Sequence, residues 1–130
     1  MAFNAANTYL NNKIMTATPT ELTLMLYDGS IKFCNIAIKA IDENDISKAN
    51  TNIIKAENII SELRATLDFN YEISNNLKDI YDYIYSRLVE ANIKKDKDIM
   101  EEVLEHLRQL RDTWKEAMNM ESSPKIPVDK

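Results

Sequence analysis

Apolar residues recur along most of this chain at alternating steps of three and four, the spacing that keeps one face of an α-helix against a neighbour. Thr18-Pro19-Thr20-Glu21 reads as a helix start. Thr18 can cap the free amides, Pro19 suits the first helical position, and Glu21 can reach back to close a capping box. The helix should run to about Glu43, where Asn44-Asp45 breaks it and Asp45 can cap the next. In that second helix Ile46, Ala49, Ile53, Ala56, Ile60, Leu63 and Leu67 form an unbroken seam. Asp68-Phe69-Asn70-Tyr71-Glu72 reads as a connection, and a third helix carries Ile73, Leu77, Ile80, Ile84, Leu88 and Ala91 on one stripe. After a turn near Lys95-Asp96, a fourth helix carries Met100, Val103, Leu107, Leu110, Trp114 and Ala117 and should end near Met118.

Helices of roughly 20 to 25 residues span roughly 30 to 37 Å at 1.5 Å per residue. Connections this short make successive helices antiparallel neighbours. The expected fold is therefore all-α, an antiparallel up-down-up-down four-helix bundle over residues 18–118. Residues 119–130, with Ser122-Ser123-Pro124 and Pro127, have no period and are expected to form a disordered tail. Residues 1–17 are rich in Asn and Thr, with Phe3, Tyr9, Leu10, Ile14 and Met15 as the apolar positions. They suffice for a marginal N-terminal segment or short cap helix, not for a helix stable alone.

The first helix carries more apolar surface than a bundle needs. Leu22, Leu26, Gly29, Phe33, Ala37 and Ala40 share one face, which we assign to the core. Leu24, Tyr27, Ile31, Cys34 and Ile38 share another, centred roughly 150° away. Leaving the second set in water would forgo on the order of 10 kcal/mol of burial. Either residues 1–17 fold over that face, or a partner segment docks there, and a weakly structured cover is what a tighter-binding helix can displace. The third helix repeats the feature with Tyr81, Tyr85 and Val89 at i, i+4 and i+8.

Composition narrows the function. One Gly and three Pro in 130 residues argue against tight-turned sheets, and a formal charge of −5 argues against nucleic acid. The single Cys34 excludes an intrachain disulfide and fits a reducing compartment. No run of 18 apolar residues spans a membrane, nor do the first residues read as a signal peptide, so a cytoplasmic protein is expected. A di-metal bundle needs Glu-x-x-His on two helices, and the only histidine, His106, has Val103 three residues before it. Glu102 and His106, four apart, read as a surface helix pair. A phosphotransfer bundle with His106 as phosphoacceptor is the alternative from another class, but Leu107-Arg108-Gln109 offers no small residue to open access. Cys34 lacks a Gly-rich turn to form an oxyanion site and reads as a small buried apolar residue. No enzyme, cofactor or metal site is visible. A self-associating structural bundle is the third reading.

Thr16-Ala17-Thr18-Pro19, Glu21-Leu22 and Leu24-Met25-Leu26-Tyr27-Asp28-Gly29 resemble the signature of the flagellar secretion chaperones for flagellin, the FliS family. Lys55-Ala56-Glu57, Ile59-Ile60, Glu62-Leu63, Tyr81-Asp82-Tyr83, Leu88 to Asn92 and Trp114-Lys115 extend the resemblance across almost the whole chain. It departs at Asn70-Tyr71-Glu72, where relatives often carry glycines. The resemblance implies a cytosolic export chaperone that binds the disordered C-terminal segment of flagellin, prevents premature polymerisation and aids delivery to the export gate. It implies no nucleotide or metal. It also implies that the N-terminal segment both covers the groove and contacts the gate, Tyr9 matching the family's tyrosine. Taken with the spare stripe, the expected partner-binding residues are Tyr9, Leu10, Ile14, Leu24, Tyr27, Ile31, Ile38, Tyr81, Tyr85 and Val89. A monomer and a weak homodimer through the same stripe both fit this reading.

Overall fold

The computed structural model describes residues 16–122, with side chains to Met120. Four helices follow one another: α1 (Pro19–Asp42), α2 (Ile46–Ala65), α3 (Ile73–Lys94) and α4 (Lys97–Ser122). Each end is set by local chemistry. Thr18 Oγ1 accepts from the Glu21 amide at 3.1 Å, and the Glu21 carboxylate accepts from the Thr18 amide at 2.9 Å. With Pro19 in the first turn, this is the capping box that the sequence spells. At the other end Asn44 takes a left-handed φ of 58°, and the Asp45 amide donates back to the Ala40 carbonyl at 2.8 Å. Asp45 then caps α2 by accepting from the Lys48 amide. The α3–α4 turn repeats the device. Lys95 has φ 51°, the Asp96 amide donates to Ala91, and the Asp96 carboxylate caps α4 at the Asp98 and Ile99 amides.

Helix α1 packs on α2 and α4, and α3 packs on the same two, so α1 and α3 face each other diagonally. The core is built from Tyr27, Ile31, Cys34 and Ala37 of α1, Ile53, Ala56, Ile60 and Leu63 of α2, Tyr81, Ile84, Leu88 and Ala91 of α3, and Ile99, Met100, Val103, Leu104 and Leu107 of α4.

Several expectations change. The α1 stripe read as spare, with Tyr27, Ile31 and Cys34, points into the core, while Leu22, Leu26, Gly29 and Phe33 lie between interior and surface. The reason is size. Gly29 lets α1 approach α2 so closely that a Cβ there would stand 3.2 Å from Ile59 Cδ1. The close approach turns Tyr27, Ile31 and Cys34 toward the middle of the bundle, where Ala37 and Ala40 of the stripe assigned to the core are buried as expected. In α3 the inward face is turned toward Ser74 and Tyr81, which leaves Ile73 and Ile80 exposed. Helix α4 runs to Ser122, beyond the Met118 expected, and Ala117 on this last stretch is exposed.

Candidate functional site

The short connections bring the starts of α1 and α3 and the ends of α2 and α4 to one end of the bundle. There the helices part around a groove of about 1120 Å³. Among the described residues its walls are Leu22, Met25 and Leu26 of α1, Ile59 of α2, Leu67 of the α2–α3 connection, Leu77 and Tyr81 of α3, and Trp114 of α4. Polar groups ring it: Thr20, Thr23, Asn58, Glu62, Thr66 and Asp68. The two charged members, Glu62 and Asp68, are both acidic. Tyr71 and Ile73 stand at the rim with more than half of their surface exposed, and Phe69 is comparably exposed in the same connection.

Three aromatic residues fix the inner wall. The Trp114 indole N–H donates to the Thr20 carbonyl at 3.0 Å, tying the end of α4 to the first turn of α1. Its ring meets Tyr27 edge-on, centroids 6.5 Å apart. The Tyr27 and Tyr81 hydroxyls lie 2.5 Å apart and bridge the diagonal helices through the core. Burial pushes both phenols above their ordinary pKa, so both are neutral. The α2–α3 connection is held by Asp68, whose carboxylate accepts from the Asn70 amide and whose carbonyl accepts from the buried Ser74 hydroxyl at 2.6 Å.

The structure scatters the residues expected to bind a partner. Tyr27, Ile31 and Tyr81 are core residues, and of these Tyr81 also lines the groove. Leu24 and Ile38 are half-buried, the latter against the core. Tyr85 and Val89 are exposed on α3, away from the groove. Tyr9, Leu10 and Ile14 lie outside the described residues. The groove instead takes Leu22 and Leu26 from the stripe assigned to the core, with Ile59, Leu77 and Trp114, each of which the periodicity had left as ordinary bundle surface or seam. A signal was present: these positions all fall at the one end where antiparallel topology gathers them, beside the aromatic connection Phe69 to Tyr71.

Opposite chemistry marks the α3–α4 face. Glu102 accepts from the Tyr83 hydroxyl, from Arg87 at 3.0 Å and lies 3.2 Å from His106 Nε2. The Tyr83 hydroxyl, Arg87 and His106 together hold the Glu102 carboxyl below the usual range. His106 is thus engaged in a helix-pairing network. Among the described residues no cluster of three His, Cys, Asp or Glu side chains is placed to hold a metal ion, and no helix is long and apolar enough to cross a membrane.

Residues 2–121 match the family described as Flagellar protein FliS. The chain belongs to the FliS family. It is 48% identical over 118 residues to the flagellar secretion chaperone FliS of Bacillus subtilis, covering 91% of this chain and 89% of that one. The Salmonella typhimurium flagellar secretion chaperone FliS is 33% identical over 114 residues, covering 85% and 84%. A crystal structure of a flagellar chaperone from bacteria superimposes with a TM-score of 0.73 at 21% identity, over 88% of this chain and 95% of the other. At that identity the likeness speaks for the fold, and it is the four-helix bundle that this chain adopts.

Proposed function

We propose that this FliS-family chain is a cytoplasmic flagellar secretion chaperone, a binding protein and not an enzyme, whose client is the C-terminal segment of flagellin. The observation that carries the reading is the groove at the end of the bundle. Among the described residues it offers apolar walls and no catalytic constellation, in a chain whose curated relatives are named secretion chaperones. A segment that is disordered alone gains order by burying its apolar residues on such a surface, and the polar ring sets its register. Beyond the groove, Tyr85 and Val89 extend the surface across α3. Two bonds set the α2–α3 register there, Asn92 to Asn50 and Arg64 to Asp82, and bring exposed Ile54 level with Val89. Tyr9, Leu10 and Ile14 complete the proposed contacts, with Tyr9 also meeting the export gate. The chaperone works as a monomer or weak homodimer.

Leu22→Asp tests this. The position is half-buried at the start of α1, where a carboxylate suits the helix dipole, so the fold tolerates the change while the groove gains a charge. Calorimetric titration with the flagellin C-terminal segment at two temperatures should give saturable one-to-one binding and a large negative heat-capacity change for the wild type. No saturable heat is expected for the variant. Full affinity in a helical Leu22→Asp protein would remove the groove from the reading, and absent binding by the wild type would end it.

A further inference from the structure

The Tyr27–Tyr81 pair carries a proton that the fold does not place. The two side chains are 1% and 2% exposed, their hydroxyl oxygens are 2.5 Å apart, and both phenols are neutral. Two hydroxyls supply two donors, and one contact uses a single donor. Neither neighbouring polar side chain takes it: the Ser30 hydroxyl donates to the Tyr27 carbonyl and bonds neither phenol, and the Trp114 N–H is itself a donor, directed to Thr20. The second phenolic hydrogen meets no acceptor among the described residues. A buried donor left so costs about as much as a lost hydrogen bond.

Which hydroxyl carries the spare proton follows from where the groove lies. Tyr81 lines it and Tyr27 does not. With Tyr27 donating to Tyr81 from the core side, the Tyr81 hydrogen is free to turn toward the groove. We propose that the Tyr81 hydroxyl donates to an unpaired main-chain carbonyl of the segment docked in the groove, with Tyr27 donating to Tyr81 from behind. A carbonyl is the acceptor to expect, because the charged members of the rim, Glu62 and Asp68, are acidic and disfavour a carboxylate. A carbonyl free to accept belongs to extended chain or to the last turn of a helix, so the client crosses the groove floor in one of those forms. Successive donors also polarise one another and strengthen the final bond.

This inference rests on the groove reading, and two substitutions separate it from a structural role. Tyr81→Phe and Tyr27→Phe keep ring and volume, and each removes the same tyrosine–tyrosine bond. If the pair only braces the core, the two variants lose stability alike and bind alike. On the proposed role they differ. Tyr27→Phe leaves the Tyr81 hydroxyl to donate to the client, and affinity for the flagellin C-terminal segment stays within about threefold of wild type. Tyr81→Phe removes the donor and should weaken that affinity about five- to tenfold. Equal affinities in the two helical variants, whether both near wild type or both weakened, overturn the proposal. Leu22→Asp in the same titration tells the failures apart. Binding lost there with Phe variants alike condemns only the hydroxyl role, and binding kept there removes the groove and the inference with it.

Discussion

Replacing Gly29 by alanine sets two effects of known size against each other. Gly29 sits inside α1 without a positive φ, so its backbone does not require glycine. Alanine in a helix interior is favoured over glycine by about 0.8 to 1 kcal/mol. Against this stands one contact: the new Cβ would lie 3.2 Å from Ile59 Cδ1, inside comfortable van der Waals range. The atom opposed is the tip of a flexible side chain, and Ile59 is half-buried with the groove beside it, so it can yield a few tenths of an ångström. The off-rotamer cost of such an adjustment is about 0.5 kcal/mol. The net expectation is stabilisation of about 0.3 to 0.5 kcal/mol, a rise in melting temperature of roughly 1 to 3 °C. Urea unfolding should show a higher midpoint with an unchanged m-value. Because Ile59 moves toward the groove, client affinity should fall a few-fold in the same protein. A lowered midpoint would refute the reasoning, since it would mean that Ile59 cannot move and that the α1–α2 approach is set against backbone rather than a side-chain tip.

Other outcomes follow from burial and charge. Ile31→Asp places an unpaired carboxylate among core residues and should destabilise the bundle by more than about 3 kcal/mol, read by urea unfolding; a fully stable variant would return Ile31 to the surface. The Glu102 carboxyl is held below its ordinary pKa in the folded state. Its contribution is therefore present above the unfolded pKa and lost as pH falls through the folded value. Glu102→Gln should lower the melting temperature at neutral pH and flatten its decline on acidification, and parallel curves for variant and wild type would exclude the carboxylate as a source. Burial pushes the Cys34 thiol up to about 12, so a thiol reagent at neutral pH should modify it only on unfolding, and rapid labelling of the native protein would contradict its burial.

What the sequence discloses here is mostly local. Thr18, Pro19 and Glu21 encode the start of α1 among themselves, and Asp45 and Asp96 do the same for α2 and α4, so these boundaries were legible. The α2 seam was legible because one stripe carries most of its apolar residues, and Ala49, Ile53, Ala56, Ile60 and Leu63 are all buried; Ile46, read as its first member, is half exposed at the helix start, and Ile54 and Ile59 lie off the stripe. Helix α1 was not, because it has two apolar stripes and periodicity does not say which of them faces in. The answer depended on the close approach at Gly29, a property of α1 and α2 together. In α3, Tyr81 was set beside the core stripe, yet its hydroxyl finds a partner only across the bundle at Tyr27, a residue 54 positions away in sequence. Trp114 was rightly placed at a seam, but its role as a groove wall depends on Thr20 of another helix. The site was hidden where it was made by tertiary pairing.

The groove by itself is too small an energy source for a disordered client. Leu22, Met25, Leu26, Ile59, Leu67, Leu77 and Trp114 are half-buried along its walls. Covering what remains of them gains roughly half of 1.5 to 3 kcal/mol each, about 5 to 10 kcal/mol in all. Ordering a disordered segment costs about 2 to 5 kcal/mol, and association costs at least about 4 kcal/mol more. The balance lies near zero, so a short peptide that only fills the groove should bind no more tightly than about millimolar. Useful affinity must come from a longer path that adds further apolar contacts, and the exposed Tyr71 and Ile73 at the rim, with Ile54, Tyr85 and Val89 beyond it, are suited to provide them. Titrating the full flagellin C-terminal segment beside nested truncations checks this. Affinity should fall in steps of tenfold or more as outlying pieces are removed, and Val89→Asp should weaken the full segment while leaving the shortest peptide unaffected. A minimal peptide that covers only the walls and binds as tightly as the whole segment would refute the argument, because the burial available on those walls does not account for it.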